Sequence, residues 1–324
     1  MQNLLPKNIT VSLVVPVYNE QYSIDIFFSH LLTISDHIFA QIERLEIIFI
    51  DDGSDDLTIE QIRQHAPTNF DVTIVKLSRN FSKEIALAAG LANASGDAVI
   101  PLDVDLQDPT ELIPEMIKHW LAGAKMVNAK RRARPEDTFF KRTTSAAFYK
   151  LFNMLSDFKI EENVGDFRLL DRELVDVLNE MPERSRFAKG MFAWLGFHPV
   201  TIEFSRPARA AGTTKWGAIK LWKLALDGIA GATTLPLRIW TYFGVFISIS
   251  AISLALLLII SVFIYGIQVP GYASLMVVML FMFAFNFIAL GIIGEYVGRL
   301  SVEVRRRPLY VIDEIIKLSG SDIN

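Results

Sequence analysis

The chain has no cysteine among its 324 residues. Disulfides and Cys-ligated zinc or iron–sulfur centres are therefore excluded, and the composition fits a reducing compartment. The five histidines, His30, His37, His65, His119 and His198, show no ligand spacing, so none is assigned a role. A net charge of −4 gives no basic surplus with which to grip nucleic acid, and no nucleic-acid partner is expected. The opening residues MQNLLPKNITVSLVVPVYNE lack a basic stretch followed by a long apolar core, so no cleavable signal peptide is expected. There is no internal repeat and no low-complexity tract, and 51% hydrophobic content excludes intrinsic disorder. The largest absence is of charge. The chain carries 32 Lys and Arg and 36 Asp and Glu, yet none falls in the 56 residues from Ile239 to Gly294. A single water-soluble domain is excluded, because roughly 18 apolar residues in a row already suggest a membrane span.

As one helix that stretch would be about 84 Å long at ~1.5 Å per residue, nearly three times a ~30 Å hydrocarbon core. It must fold back, and Gly266-Ile-Gln-Val-Pro-Gly271 supplies the turn. Two spans are expected, at about residues 240–265 and 273–294, within a membrane region 237–298. Basic residues flank the charge-free run, including Arg209, Lys215, Lys220, Lys223 and Arg238 before it and Arg299 and Arg305 to Arg307 after it. The positive-inside rule then puts both termini in the cytoplasm of an integral inner-membrane protein, with residues 299–324 as a cytoplasmic tail. Trp240, Tyr242, Tyr265, Tyr272 and Tyr296 stand where interfacial anchors belong. Within residues 213–236, Ile219, Trp222, Leu226 and Ile229 form one stripe, which predicts an amphipathic helix lying on the bilayer surface. Asn286, a polar residue inside the second span, would support packing against another helix and hence a homo-oligomer.

Residues 1–212 read differently. Apolar strands at Val11–Val17, Glu46–Ile50, Val72–Leu77 and Ala98–Leu102 alternate with helical stretches at Tyr22–Ile42, Leu57–His65, Lys83–Asn93 and Pro109–Ala122. Such alternation predicts an α/β domain with a mostly parallel, Rossmann-like sheet. Ligands of such sheets bind at the carboxyl ends of the strands. Polar clusters stand there: Tyr18-Asn19-Glu20, Asp51-Asp52-Gly53-Ser54 and Asp103-Val-Asp105-Leu-Gln107-Asp108. Asp103 and Asp105 are two apart on an extended or tightly turned segment, so both carboxylates can face one divalent cation. Mg²⁺ or Mn²⁺ takes hard oxygen ligands and completes its shell with substrate phosphates.

Five motifs in order, Pro16-Val-Tyr-Asn-Glu20, Asp51-Asp-Gly-Ser54, Ser78-Arg-Asn-Phe-Ser-Lys-Glu84, Asp103-Val-Asp-Leu-Gln-Asp-Pro109 and Gly165-Asp-Phe-Arg-Leu169, resemble glycosyltransferase family 2. With the paired spans, the chain resembles more closely the polyisoprenyl-phosphate glycosyltransferases, which include the bacterial bactoprenol glucosyltransferases and the dolichyl-phosphate mannosyltransferases. The resemblance implies a GT-A fold and inverting transfer of a sugar from a nucleotide sugar to the phosphate of a membrane polyprenol. It places nucleotide-sugar contacts on Pro16, Tyr18, Glu20, Asp52 and Asp103, and a Mg²⁺ or Mn²⁺ ion on Asp103, Asp105 and Gln107. Arg131, Arg142 and Ser145 match positions that receive the acceptor phosphate. Arg209 and Lys215 match a loop that closes over the donor diphosphate, although Gly212-Thr-Thr-Lys215 stands where the family often has Gly-Glu-Ser-Lys.

Two carboxylates, Asp157 and Asp166, are candidates for orienting or deprotonating the acceptor, and the sequence does not choose between them. The expected reaction is transfer of glucose from UDP-glucose to undecaprenyl phosphate, for modification of lipopolysaccharide or another surface glycan. A dolichyl-phosphate-mannose type of reaction from GDP-mannose and a processive polysaccharide synthase are the alternatives; the Gln-X-X-Arg-Trp motif of related synthases is not found. A non-catalytic scaffold is disfavoured, because it would have no need of the paired carboxylates.

Overall fold

In the computed structural model the described residues are 9–132, 150, 152–154, 156, 158–181, 183–184, 188–204, 235–266 and 271–318. They fall into two compact units: a sheet domain that includes the C-terminal strand, and a pair of long apolar helices. In chain order the strands are β1 (Thr10–Val17), β2 (Arg44–Asp51), β3 (Asp71–Leu77), β4 (Ala98–Pro101), β5 (Met126–Arg131), β6 (Val164–Asp171), β7 (Val200–Phe204) and β8 (Ile312–Leu318). The helices of the sheet domain are α1 (Ile24–Phe39), α2 (Thr58–His65), α3 (Lys83–Asn93), α4 (Ile113–Leu121), α5 (Arg172–Glu180) and α6 (Ala188–Trp194).

The sheet order is β7-β5-β6-β4-β1-β2-β3-β8. Strands β1 to β4 are parallel neighbours, β6 is antiparallel to both β4 and β5, and β7 is parallel to β5. Only β6 and β8 therefore oppose the common direction. The central strands are apolar without interruption because helices cover both faces. Alternate residues divide between two cores. Leu13, Val15, Ile47 and Phe49 face α1, where Phe27, Phe28 and Phe49 meet edge to face at centroid distances of 5.5 to 5.8 Å. Val14, Ile48, Ile50 and Val75 face the other way, against Leu87 and Leu91 of α3. Helix α3 lies close because of Gly90: a Cβ there would be 2.1 Å from Cγ1 of Val14.

The structure adds elements that the apolar pattern did not predict. Charged residues interrupt β5 and β6, and Arg168 of β6 is buried with its guanidinium 4.0 Å over the Phe192 ring and donating to the Gly165 carbonyl at 2.5 Å. Burial lowers that guanidinium to about 10. The segment expected to be a tail contains β8, which pairs antiparallel with β3 from Val72↔Leu318 to Leu77↔Ile312.

The second unit consists of α7 (Leu235–Tyr265) and α8 (Tyr272–Val304), in contact where Phe243 and Phe285 meet edge to face at 5.3 Å. Large apolar side chains point outward along both, among them Phe246, Leu257, Phe263 and Phe287. Helices with such faces suit apolar surroundings. Ser274–Val304 is long and apolar enough to cross a membrane by length and composition, while the corresponding described stretch of α7, Ile239–Leu254, is shorter. The expected surface helix, from Trp216 to Gly231, lies outside the described residues.

Candidate active site

Because β5 runs with β4 and β6 runs against both, the last residue of β5, Arg131, and the first residues of β6, including Asp166, reach the same sheet edge as the carboxyl ends of β1, β2 and β4. At that edge a cavity of about 280 Å³ is lined by Pro16, Tyr18, Glu20, Asp52, Asn80, Ser82, Lys83, Asp103 and Asp105 among others. Six of the residues singled out in the sequence, from three separate strand ends, thus come together.

The loops that shape the cavity brace one another. Asn19, with φ of 57°, donates its backbone N–H to Ser54 Oγ at 3.0 Å, and its side-chain oxygen accepts from Asp55 N at 2.9 Å. Glu20 donates its backbone N–H to Thr58 Oγ1 at 2.9 Å, and its carboxylate accepts from Ser23 Oγ at 2.7 Å. Asp52 accepts from the backbone N–H groups of Phe81 and Ser82 at 2.7 and 3.0 Å, so it anchors the β3–α3 loop as well as lining the cavity. Gly53 makes this junction possible, since with φ of 78° it lies so close that a Cβ would be 2.8 Å from the backbone of Arg79 and Asn80.

The charges are strongly coupled. Burial raises the Asp52 carboxyl, against the two backbone donors. Burial also raises Glu20, and Asp105 and Asp103 add to the shift. Lys83 Nζ lies 2.6 Å from one oxygen of Asp103 and 2.8 Å from the other, and 3.6 Å from Asp166. Burial opposes the charge of Lys83, but Asp103 and Asp166 more than offset it and hold the ammonium charged above the usual lysine range. Next along α3, Glu84 accepts from Ala188 N at 3.3 Å, and burial followed by the charge of Asp166 pushes its carboxyl up to about 7.

Gln107 donates its side-chain amide to Asp105, and its backbone N–H donates to the same carboxylate at 3.1 Å. Its side chain therefore supports Asp105 instead of lining the cavity. Arg131 closes β5, with its N–H on Asn163 O at 3.0 Å, and its neighbour Arg132 pairs with Glu203 at 3.3 Å. Asp157, Arg142, Ser145, Arg209 and Lys215 lie outside the described residues. The sequence reading gave no role to Asn80, Ser82, Lys83 or Glu84. The signal was present, since the motif Ser78 to Glu84 follows a third strand end.

The donor chemistry fits a hard divalent cation. Asp103 and Asp105, which both line the cavity, offer carboxylate oxygens as ligands. Among the described residues no group of three or more carboxylates or imidazoles is gathered that could hold a cation. The two aspartates would therefore share it with phosphate or water oxygens, as Mg²⁺ commonly requires.

The family description "Glycosyl transferase family 2" matches residues 12–178, from β1 into α5. A prophage-derived bactoprenol glucosyl transferase of Shigella flexneri is 47% identical over 93% of this chain and 97% of its own length. A prophage bactoprenol glucosyl transferase homolog of Escherichia coli is 46% identical over 95% of this chain and 99% of its own. An uncharacterized glycosyltransferase of Synechocystis is 45% identical over 95% and 96%. With the sheet of GT-A-like form and its acidic cavity at the strand ends, these matches establish that the chain belongs to glycosyltransferase family 2, as a glycosyltransferase similar along nearly its whole length to the bactoprenol glucosyl transferases.

Proposed function

We propose that the protein transfers a hexose, glucose from UDP-glucose, to undecaprenyl or another polyprenyl phosphate at the cytoplasmic face of the membrane, with inversion at the anomeric carbon. The observation that carries this reading is near-full-length identity of 46 to 47% to proteins named bactoprenol glucosyl transferases, in a chain whose acidic cavity stands at the strand ends. α7 and α8 would be two spans that anchor the catalytic domain, both termini cytoplasmic, beside a lipid that cannot leave the bilayer cheaply at ~0.8 kcal/mol per CH₂.

In this reading Pro16, Tyr18, Glu20 and Asp52 hold the nucleotide, and Asp103 and Asp105 hold Mg²⁺ or Mn²⁺ against its diphosphate, with Gln107 steadying Asp105. The ion would stabilise negative charge developing on the departing nucleotide. Arg209 and Lys215 would add cationic donors to the same phosphates. The acceptor phosphate, with a second pKa of about 6, is mostly the dianion near pH 7, so it needs orientation more than deprotonation. Arg131, Arg142 and Ser145 would supply that orientation, with Asp157 or Asp166 as the carboxylate facing the acceptor.

The test is a panel of radiolabelled UDP- and GDP-sugars with undecaprenyl phosphate and Mn²⁺ or Mg²⁺. One glucose per lipid from UDP-glucose is expected. Mannose from GDP-mannose would replace the donor assignment, and products longer than one sugar would favour a processive synthase. Asp105→Ala is expected to lower transfer by at least a hundredfold while the protein stays folded by circular dichroism. Full activity in that variant would sink the metal assignment.

A further inference from the structure

Lys83 is the first residue of α3, and its ammonium lies between carboxylates from two other elements, Asp103 after β4 and Asp166 in β6. Both oxygens of Asp103 are within 2.8 Å of Nζ. A divalent cation binds carboxylate oxygen at roughly 2.0 to 2.2 Å, so ion and ammonium would compete for the same lone pairs. They would also repel each other at close range. The lysine stem is flexible, the side chain as a whole is half-exposed, and Asp166 offers a second partner, so the ammonium can leave Asp103 without losing all pairing.

We propose that Lys83 is a positioning residue that competes with the divalent cation for Asp103, so that the ion binds well only when the diphosphate of the donor arrives with it. This rests on the reading that Asp103 and Asp105 hold the ion. Lys83 then keeps Asp103 and Asp166 from repelling each other and yields Asp103 when the phosphates add enough negative charge to hold the metal. Asp166 serves as the partner to which the ammonium retreats.

Competition is reciprocal, so it can be measured from both sides. The first measurement titrates Mn²⁺ into EDTA-treated, dialysed full-length protein in detergent, following free Mn²⁺ by electron paramagnetic resonance, alone and with UDP or GDP. Lys83→Gln is expected to bind Mn²⁺ alone on the order of tenfold more tightly than wild type, a shift of the size that follows from removing one close charge at high effective dielectric, and to gain less from the nucleotide. Lys83→Arg keeps the charge and should not tighten binding. Equal or weaker Mn²⁺ binding in Lys83→Gln overturns the inference.

The second measurement needs no variant and stands if Lys83→Gln fails to fold. Acetylation of wild type by acetic anhydride, read by mass spectrometry, should increase severalfold at Lys83 when Mn²⁺ alone is raised to saturation, while Lys125 stays constant. Unchanged labelling at Lys83 overturns the inference. If wild type binds no Mn²⁺ even with UDP or GDP, the metal reading itself falls and the competition with it. That outcome is distinct from one in which wild type binds the ion and Lys83 has no effect on it.

Discussion

Ser82 has the least comfortable backbone at the cavity, with φ of 107° and ψ of 154°, a region that glycine occupies readily and serine does not. Such strain costs on the order of 1–3 kcal/mol and is held here by Asp52, which binds the Ser82 N–H. Ser82→Gly is expected to raise stability by about 1 kcal/mol, seen as a higher thermal midpoint. A lower midpoint would show that the serine backbone is unstrained. Glu84 gives a pH signature. Its folded carboxyl, at about 7, stands above the usual 4.5, so the native state binds more protons than the unfolded one between those values. Stability from this group is therefore present at low pH and lost as pH rises through 7. Glu84→Gln keeps an acceptor for Ala188 N–H and should remove that loss, about 3 kcal/mol across pH 4.5 to 7.5. Parallel melting curves of variant and wild type over this range would contradict the assignment. At this scale Asp52, Asp103 and Asp105 were legible in the sequence because each follows an apolar strand. The bond between Lys83 and Asp103 was not, since it depends on how the N-terminus of α3 meets the end of β4 in space.

Helix α3 illustrates what an element contributes. Gly90 brings it against β1, and a methyl group at that position would overlap the Val14 side chain. Gly90→Ala is expected to cost about 1–3 kcal/mol and, by pushing α3 outward, to move Lys83 away from Asp103. Thermal unfolding reads the first effect, and Mn²⁺ affinity reads the second. An unchanged melting midpoint would mean that α3 is free to shift. Strands β1 to β4 were legible because burial on both faces makes them uninterrupted apolar runs. β5 and β6 were not, because they carry the charged residues Lys130, Arg131, Asp166 and Arg168. Charges inside a strand erase the apolar pattern by which strands are recognised.

In the molecule as a whole, the charge-free run was legible because an absence of charge over 56 residues needs no tertiary knowledge to detect. β8 escaped for the opposite reason: IDEIIKL is short, charged and only half-buried, and its place is fixed by β3 far away in the chain. Deleting Ile312 to Asn324 would leave the β3 edge unpaired. The expected result is a lower melting midpoint and larger species by light scattering in the same detergent. A monodisperse product with the wild-type midpoint would show that β8 contributes nothing to the sheet. Synthesis of the chain gives this strand a further consequence. Translation proceeds from the N-terminus, so β3 emerges early, and α7 and α8 must both be made before its partner exists. Until then the segment Asp71–Leu77, rich in β-formers, presents an open edge. The catalytic sheet can be finished only by a ribosome that has already delivered both apolar helices, which makes maturation of the enzyme follow their delivery.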